Sequence, residues 1–123
     1  MMIGAVNARR EAILHVEILG FDDGRIEVAA VLDTGLTGYL TLPKTEIEAL
    51  GLTSQGIREA ILADGRRATL EIFRTRILWD GEERGVQILA SGGDPLIGMS
   101  LLHGHEINIE VKVDGAVRIS PLP

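Results

Sequence analysis

Asp33-Thr34-Gly35 follows the apolar run Val28-Ala29-Ala30-Val31-Leu32. That order predicts a carboxylate at the end of a buried strand, in a Thr-Gly turn. Burying a lone carboxylate is costly unless it is paired, hydrogen-bonded or protonated. A second carboxylate nearby would give the first a chemical purpose, because paired carboxylates can divide acid and base roles between them. The chain holds one such triplet. The plain alternative is an ordinary turn after a strand, since Asp and Gly dominate turns.

The remaining polar groups offer less. There is no cysteine, which removes disulfides, thiolate metal sites and thiol catalysis. His103 and His105 would share a face on a strand, and His15 is the third imidazole. Gly104 reads as loop and no further ligand has motif spacing, so no metal site is expected. Glu82-Glu83 reads as a solvated turn, Trp79 as a strand-end packing residue, and Asp94 as a loop residue before Pro95. A formal net charge of −6 argues against a nucleic-acid partner, which would select a basic face. No apolar run is long enough to span a membrane. In residues 1–10 the two arginines follow a short mixed stretch, whereas a secretion signal would place them before a longer apolar core. The expectation is a soluble, cytoplasmic protein.

The elements that must carry Asp33 read as mostly β, in one domain over residues 1–123. Aromatic residues make up only 3% of the chain, so Ile, Leu, Val and Ala must build the core. Four Asp-Gly pairs (Asp23-Gly24, Asp64-Gly65, Asp80-Gly81 and Asp114-Gly115) separate runs rich in β-branched and aliphatic residues. Asp-Gly favours tight hairpin turns because both residues tolerate positive φ. The first hairpin pairs residues 12–19 with 25–32. In it Ala12, Leu14, Val16 and Ile18 form an apolar face. Residues 43–50 read as a short helix with Pro43 in its first turn and Gly51 just past its end. Residues 57–62 and 67–78 flank Asp64-Gly65 as a second hairpin, with a bulge or a change of buried face near Phe73. Residues 85–90 follow the third turn. After the loop Ser91-Gly92-Gly93-Asp94-Pro95 comes Leu96-Ile97-Gly98, then one helical turn over 99–102. Residues 105–113 and 116–119 close the chain as a last hairpin.

The apolar run into Asp33-Thr34-Gly35, followed by Tyr39-Leu40-Thr41-Leu42-Pro43, resembles the retropepsin-like aspartic proteases, and most of all their small single-domain bacterial forms. A second segment agrees: Leu96-Ile97-Gly98-Met99 and Leu101-Leu102 look like the family's apolar-apolar-Gly strand end leading into a short helix. The resemblance implies a small closed or nearly closed β-barrel with one or two short helices. It also implies that one chain is half of an active site, completed by a homodimer about a two-fold axis. Carried over by motif, Asp33 is the catalytic carboxylate, Thr34 braces the paired loops across the axis, and Gly35 lets backbone N–H groups approach the carboxylates. By position alone, Ala63-Asp64-Gly65-Arg66 takes the place of the flap over the substrate. The family also often pairs its termini across the dimer, here residues 1–10 and 116–123. One departure stands out: the residue after the triplet is Leu36, where the family often has Ser, Ala or Thr. A hydroxyl there would bond the outer carboxylate oxygen, and Thr37 is the next residue able to offer one.

The implied activity is peptide-bond hydrolysis without metal or cofactor. Two carboxylates a hydrogen bond apart share one proton and titrate in two steps, as is established for aspartic proteases. The ionised one activates a water and the protonated one donates to the scissile carbonyl. The substrate would be a peptide or unfolded protein. The alternative is a catalytically weak or inactive peptide- or protein-binding module on the same barrel. A third reading is a regulatory partner of another protein.

Overall fold

The computed structural model describes residues 1–61 and 64–123, and the apolar alternation at its N-terminal end becomes paired strands. Strand β1 spans Met2–Val6, β2 Ala12–Leu19 and β3 Arg25–Leu32. In β2 the residues Leu14, Val16 and Ile18 are buried while His15 is exposed, which is the half-buried pattern that alternation encodes. The β2–β3 register runs unbroken from Ile13–Val31 to Leu19–Arg25. Then follow β4 (Leu40–Pro43), helix α1 (Lys44–Ala49), β5 (Gly56–Ile61), β6 (Arg67–Trp79) and β7 (Glu82–Ser91). The chain continues through the two-residue strand β8 (Leu96–Ile97), the single-turn helix α2 (Met99–Leu102), β9 (His105–Ile109) and β10 (Ala116–Pro121).

The strands order as β5-β6-β7-β4-β8-β3-β2-β1-β10-β9, and β6 also pairs with β2. That extra pairing matches Glu17, Ile18 and Leu19 with Leu78, Ile77 and Arg76, and so closes β6-β7-β4-β8-β3-β2 into a ring. The ring is uneven, because two of its seams are the short β8 and this three-residue contact. Ile18, Leu40, Ile77, Ile88, Leu101 and Ile119 are fully buried in its core. Each aliphatic side chain hidden in this way contributes about 1.5–3 kcal/mol. The expected closed or nearly closed β-barrel with short helices is the architecture observed.

Four local expectations change. Among the described residues only Asp80-Gly81 makes a two-residue hairpin, with φ of +52° and +84° and Trp79 directly opposite Glu82. That double positive φ is what such a turn demands. Asp23-Gly24 ends a longer loop, in which the Gly20 N–H donates to the Gly24 carbonyl. Asp114-Gly115 lies in a wider turn of the β9–β10 hairpin, with Asp114 at φ +63° and the Gly115 N–H donating to the Lys112 carbonyl at 2.8 Å. It also makes a tertiary contact: the Asp114 N–H donates to the Val6 carbonyl and the Val6 N–H to the Gly115 carbonyl, both at 2.9 Å. Strand β9 therefore stops at Ile109, short of residue 113. Pro43 caps α1 rather than entering its first turn, while Gly51, at φ +70°, does end the helix.

Near Phe73 the buried face changes without a bulge. The β6–β7 ladder is continuous from Ile72–Leu89 to Trp79–Glu82. Phe73, Ile77 and Trp79 are buried, whereas Leu70 and Ile72 are half-buried. The cause is that the first half of β6 pairs with the edge strand β5, away from the ring. The termini pair within the chain: β10 lies between β1 and β9, so neither of its edges is free. No helix among the described residues is long and apolar enough to cross a membrane.

Ile77 seals the β2–β6 seam with no exposed surface. Ile77→Ala is expected to cost about 2–5 kcal/mol, because the cavity left there cannot collapse against a closed ring. The measurement is the urea unfolding midpoint at unchanged slope.

Candidate active site at the Asp33 loop

Strand β3 ends at Leu32, and Asp33 extends its parallel pairing with β8: the Asp33 N–H donates to the Ile97 carbonyl at 2.9 Å. Asp33 is half-buried. Its Oδ1 accepts the Gly35 N–H at 2.9 Å, and its carbonyl accepts the Leu36 N–H at 3.2 Å. A half-buried carboxylate needs such partners. A Cβ on Gly35 would stand 3.2 Å from Oδ1, tighter than ordinary contact, so glycine lets this loop fold back on the carboxylate. Thr34 and Gly35 are exposed at the loop surface.

The returning half of the loop is laced to the second predicted element. The Gly98 N–H donates to the Tyr39 carbonyl at 2.9 Å, the Met99 N–H to Leu36 at 2.7 Å, and the Ser100 N–H to Gly38 at 3.2 Å. The Ser100 hydroxyl donates to the Thr37 carbonyl. A Cβ on Gly98 would run into the Gly38 carbonyl, which explains glycine at this close approach. Ile97 is fully buried. Leu96 is half-buried, and its N–H donates to the hydroxyl of the buried Thr41 at 3.1 Å. The fold thus brings Asp33, Thr34, Gly35 and Thr37 together with Leu96, Ile97 and Gly98.

Not every expected contact within this cluster is made, and the remaining predicted site residues stand apart. Thr37 is exposed, and its hydroxyl makes no bond to Asp33. Asp64, Gly65 and Arg66 form an exposed tip between β5 and β6. There Gly65 has φ +86°, and Asp64 accepts the Arg66 N–H at 3.0 Å. Among the described residues no hydrogen bond joins this tip to the Asp33 loop. Ala63, the remaining flap residue expected, lies outside the described residues. The imidazoles are dispersed: His15 sits 3.2 Å from Glu27 across the β2–β3 hairpin. His105 accepts the Trp79 indole N–H at Nε2 and donates from Nδ1 to the His103 carbonyl, which assigns its neutral tautomer. Among the described residues no three metal-ligating side chains converge.

Two residues at the site escaped the sequence reading. Ser100 pins α2 to the loop through its hydroxyl. Arg84, on β7, donates from Nη1 to the Leu101 carbonyl at 3.2 Å, and its guanidinium carbon lies 5.8 Å from the centre of the Tyr39 ring. The signal for Arg84 was present in the alternation, because Arg84, Val86 and Ile88 share the inward face of β7. Near the β5–β6 hairpin, Lys44 at the start of α1 meets Glu71 of β6 at 2.9 Å. The hydrogen bond first, and charge attraction second, raise the Lys44 amine and lower the Glu71 carboxyl from their ordinary values.

A ring of strands in which an Asp-Thr-Gly loop is laced to a strand end and a one-turn helix is a retropepsin-like fold. Solved structures agree. One is a retropepsin-like aspartic protease from Rickettsia conorii, with a TM-score of 0.62 and 16% identity over 99% of this chain and 91% of that one. Another is the foamy viral protease-reverse transcriptase in complex with an RNA/DNA hybrid, with a TM-score of 0.55 and 12% identity over 90% of this chain and 13% of that longer one. At these identities the likeness establishes the fold. No protein-family model matches the sequence, and no curated protein matches it.

Two outcomes test this geometry. Gly98→Ala is expected to destabilise by about 1–3 kcal/mol through overpacking against the Gly38 carbonyl. Gly93→Ala, where a Cβ meets open space, should be nearly neutral in the same denaturation series. For the Lys44–Glu71 pair, the lowered Glu71 value gives stability that is present above its unfolded value and lost as pH falls through the folded one. The raised Lys44 value gives stability lost as pH rises through its folded value. The small gap between wild type and Glu71→Gln should therefore close at both extremes of a stability–pH profile.

Proposed function

We propose that residues 1–123 form one retropepsin-like domain acting as an aspartic endopeptidase, with its site completed by a second copy of the chain. The observation that carries this reading is the lacing of the Asp33 loop to Leu96-Ile97-Gly98, within a fold shared with a structure described as an aspartic protease. Asp33 is the proposed catalytic residue. Its Oδ1 is held by the Gly35 N–H, and Oδ2 accepts no hydrogen bond among the described residues, so it is available to a water or to the partner carboxylate. In a pair of such groups the ionised carboxylate takes a proton from the water as its oxygen attacks the peptide carbonyl carbon. The protonated carboxylate gives its proton to the carbonyl oxygen. Collapse of the tetrahedral intermediate breaks the C–N bond, with the proton delivered to the leaving nitrogen. Symmetry lets either copy of Asp33 take either role.

The surfaces available support a peptide or unfolded-protein substrate. Strand β5 ends the sheet with one unpaired edge, the kind of edge that accepts an extended peptide as an added strand. The tip at 63–66 is the proposed flap. Thr34, exposed beside Asp33, is the proposed brace between copies. Because β10 is paired on both edges, self-association through that strand would break bonds already made within the chain. The dimer is better served by the exposed loop itself, with Thr34, Gly35 and the 43% exposed Met99. A cytoplasmic location belongs to this reading, as does the absence of any nucleic-acid partner.

A second reading is favoured by one observation: neither Leu36 nor the Thr37 hydroxyl bonds the Asp33 carboxylate. A carboxylate without that support suits a peptide-binding module with weak or no catalysis. One experiment separates the two. Purified protein is incubated with unfolded substrate from acidic to neutral pH, beside Asp33→Asn. Endopeptidase action predicts cleavage that falls by about 10²–10⁴-fold in the variant, the scale of a lost acid–base group. Equal cleavage by both proteins would overturn the catalytic assignment. Peptide binding without cleavage, unchanged by Asp33→Asn, would establish the binding module.

A further inference from the structure

Arg84 is set apart from every other cation in the chain. Of the 12 Lys and Arg residues, it alone is half-buried and the rest are exposed. Among the described residues no carboxylate pairs with it, although the chain carries 18 acidic residues. Partly removing a cation from water without a counter-charge is unfavourable. The Leu101 carbonyl takes one N–H from Nη1 and the Tyr39 ring lies against the guanidinium. Those two contacts leave most of its five donors unused. Arg84 also borders a cleft of about 390 Å³ together with Thr37, Tyr39, Met99, Ser100 and His103. No acidic residue lines that cleft, in a protein of net charge −6. Neither the Tyr39 hydroxyl nor the His103 ring has a hydrogen-bond partner among the described residues, so both remain available as donors.

We propose that this cleft, beside and separate from the Asp33 carboxylate, binds a carboxylate group carried by a peptide, with Arg84 as its anchor. A guanidinium presents parallel N–H groups that match the two oxygens of a carboxylate. The Tyr39 hydroxyl and His103 supply further donors, and Met99 gives an apolar wall for the attached chain. The carboxylate belongs to an acidic side chain or to a free chain end. The proposal rests on the peptide-binding reading only for the source of that group. Its test reads binding and not cleavage, so either idea can fail alone.

Two probes separate the sources: N-acetyl-glutamate α-amide, with a side-chain carboxylate, and N-acetyl-alanine, with a terminal one. N-acetyl-glutamine amide is the neutral control, and inorganic phosphate tests for a general anion site. The readout is the backbone amide spectrum of the folded protein at constant ionic strength. Saturable shifts at Thr37, Ser100 and His103 with a charged probe, absent with the neutral one, are expected. Affinity should fall about tenfold in Arg84→Gln, the scale of one charge-assisted hydrogen bond. The tighter of the two carboxylates names the source. If Arg84→Gln does not fold, His103→Ala and Tyr39→Phe replace it, each expected to weaken the tighter probe. No saturation with either carboxylate, an equal response to the neutral probe, tighter binding of phosphate, or undiminished affinity in the variants would each overturn the site.

Discussion

Strand β8 is two residues long, yet both of its edges are occupied. Leu96 and Ile97 pair in parallel with Val31 and Leu32 of β3 and antiparallel with Thr41 and Leu40 of β4. Without it the ring would open between β3 and β4, the two strands that the Asp33 loop connects. So short a strand cannot hold by its own ladder, and tertiary contacts supplement it. The Leu96 N–H finds the Thr41 hydroxyl, the Ile97 carbonyl accepts the Asp33 N–H, and Ile97 itself is completely buried. Closing the ring and placing the carboxylate are therefore one event.

Glycine at position 98 is the steric condition for that event. The loop and α2 approach so closely that a side chain there would displace the Gly38 carbonyl. Four hydrogen bonds between 36–39 and 98–100 then hold the loop in register. A loop anchored at that density is pre-organised, which suits a group that must meet a substrate without further adjustment. The exposed tip at 64–66 presents the opposite condition. It is held by the local Asp64–Arg66 contact and by the β5–β6 ladder, on an edge remote from the ring's closure.

Charge follows the same division between a dry interior and a solvated rim. Several ion pairs are exposed cross-strand contacts, such as Arg25–Glu17, Arg67–Glu59 and Arg76–Glu83, and these contribute little to stability. Arg84 differs because it points to the inward side of β7 at the end where the ring meets α2. There a guanidinium can satisfy a helix-end carbonyl and still reach a cleft.

Much of this was legible in order and spacing alone. Alternation along Ala12–Leu19 identified a half-buried strand and its partner, because period-two patterning is a local property of the chain. The motifs around Asp33 and Gly98 pointed to the fold through their resemblance to the retropepsin-like proteases, and each is a short local run. What local pattern could not supply is which backbone group meets which. The Asp-Gly pair at 114–115 looks like a turn and is one, but its backbone groups also bond to Val6 more than a hundred residues away. Phe73 changes the buried face because β6 leaves one sheet neighbour for another, and pairing is decided between strands. Local pattern accounts for most of the strands, though not β1 or β4, and for the aliphatic core and the placing of Asp33 at a strand end. Tertiary packing alone makes β8 close the ring and Ser100 pin the loop. It also decided that Arg84 stands half-buried without a carboxylate, because each of these depends on groups distant in the chain arriving at hydrogen-bond range.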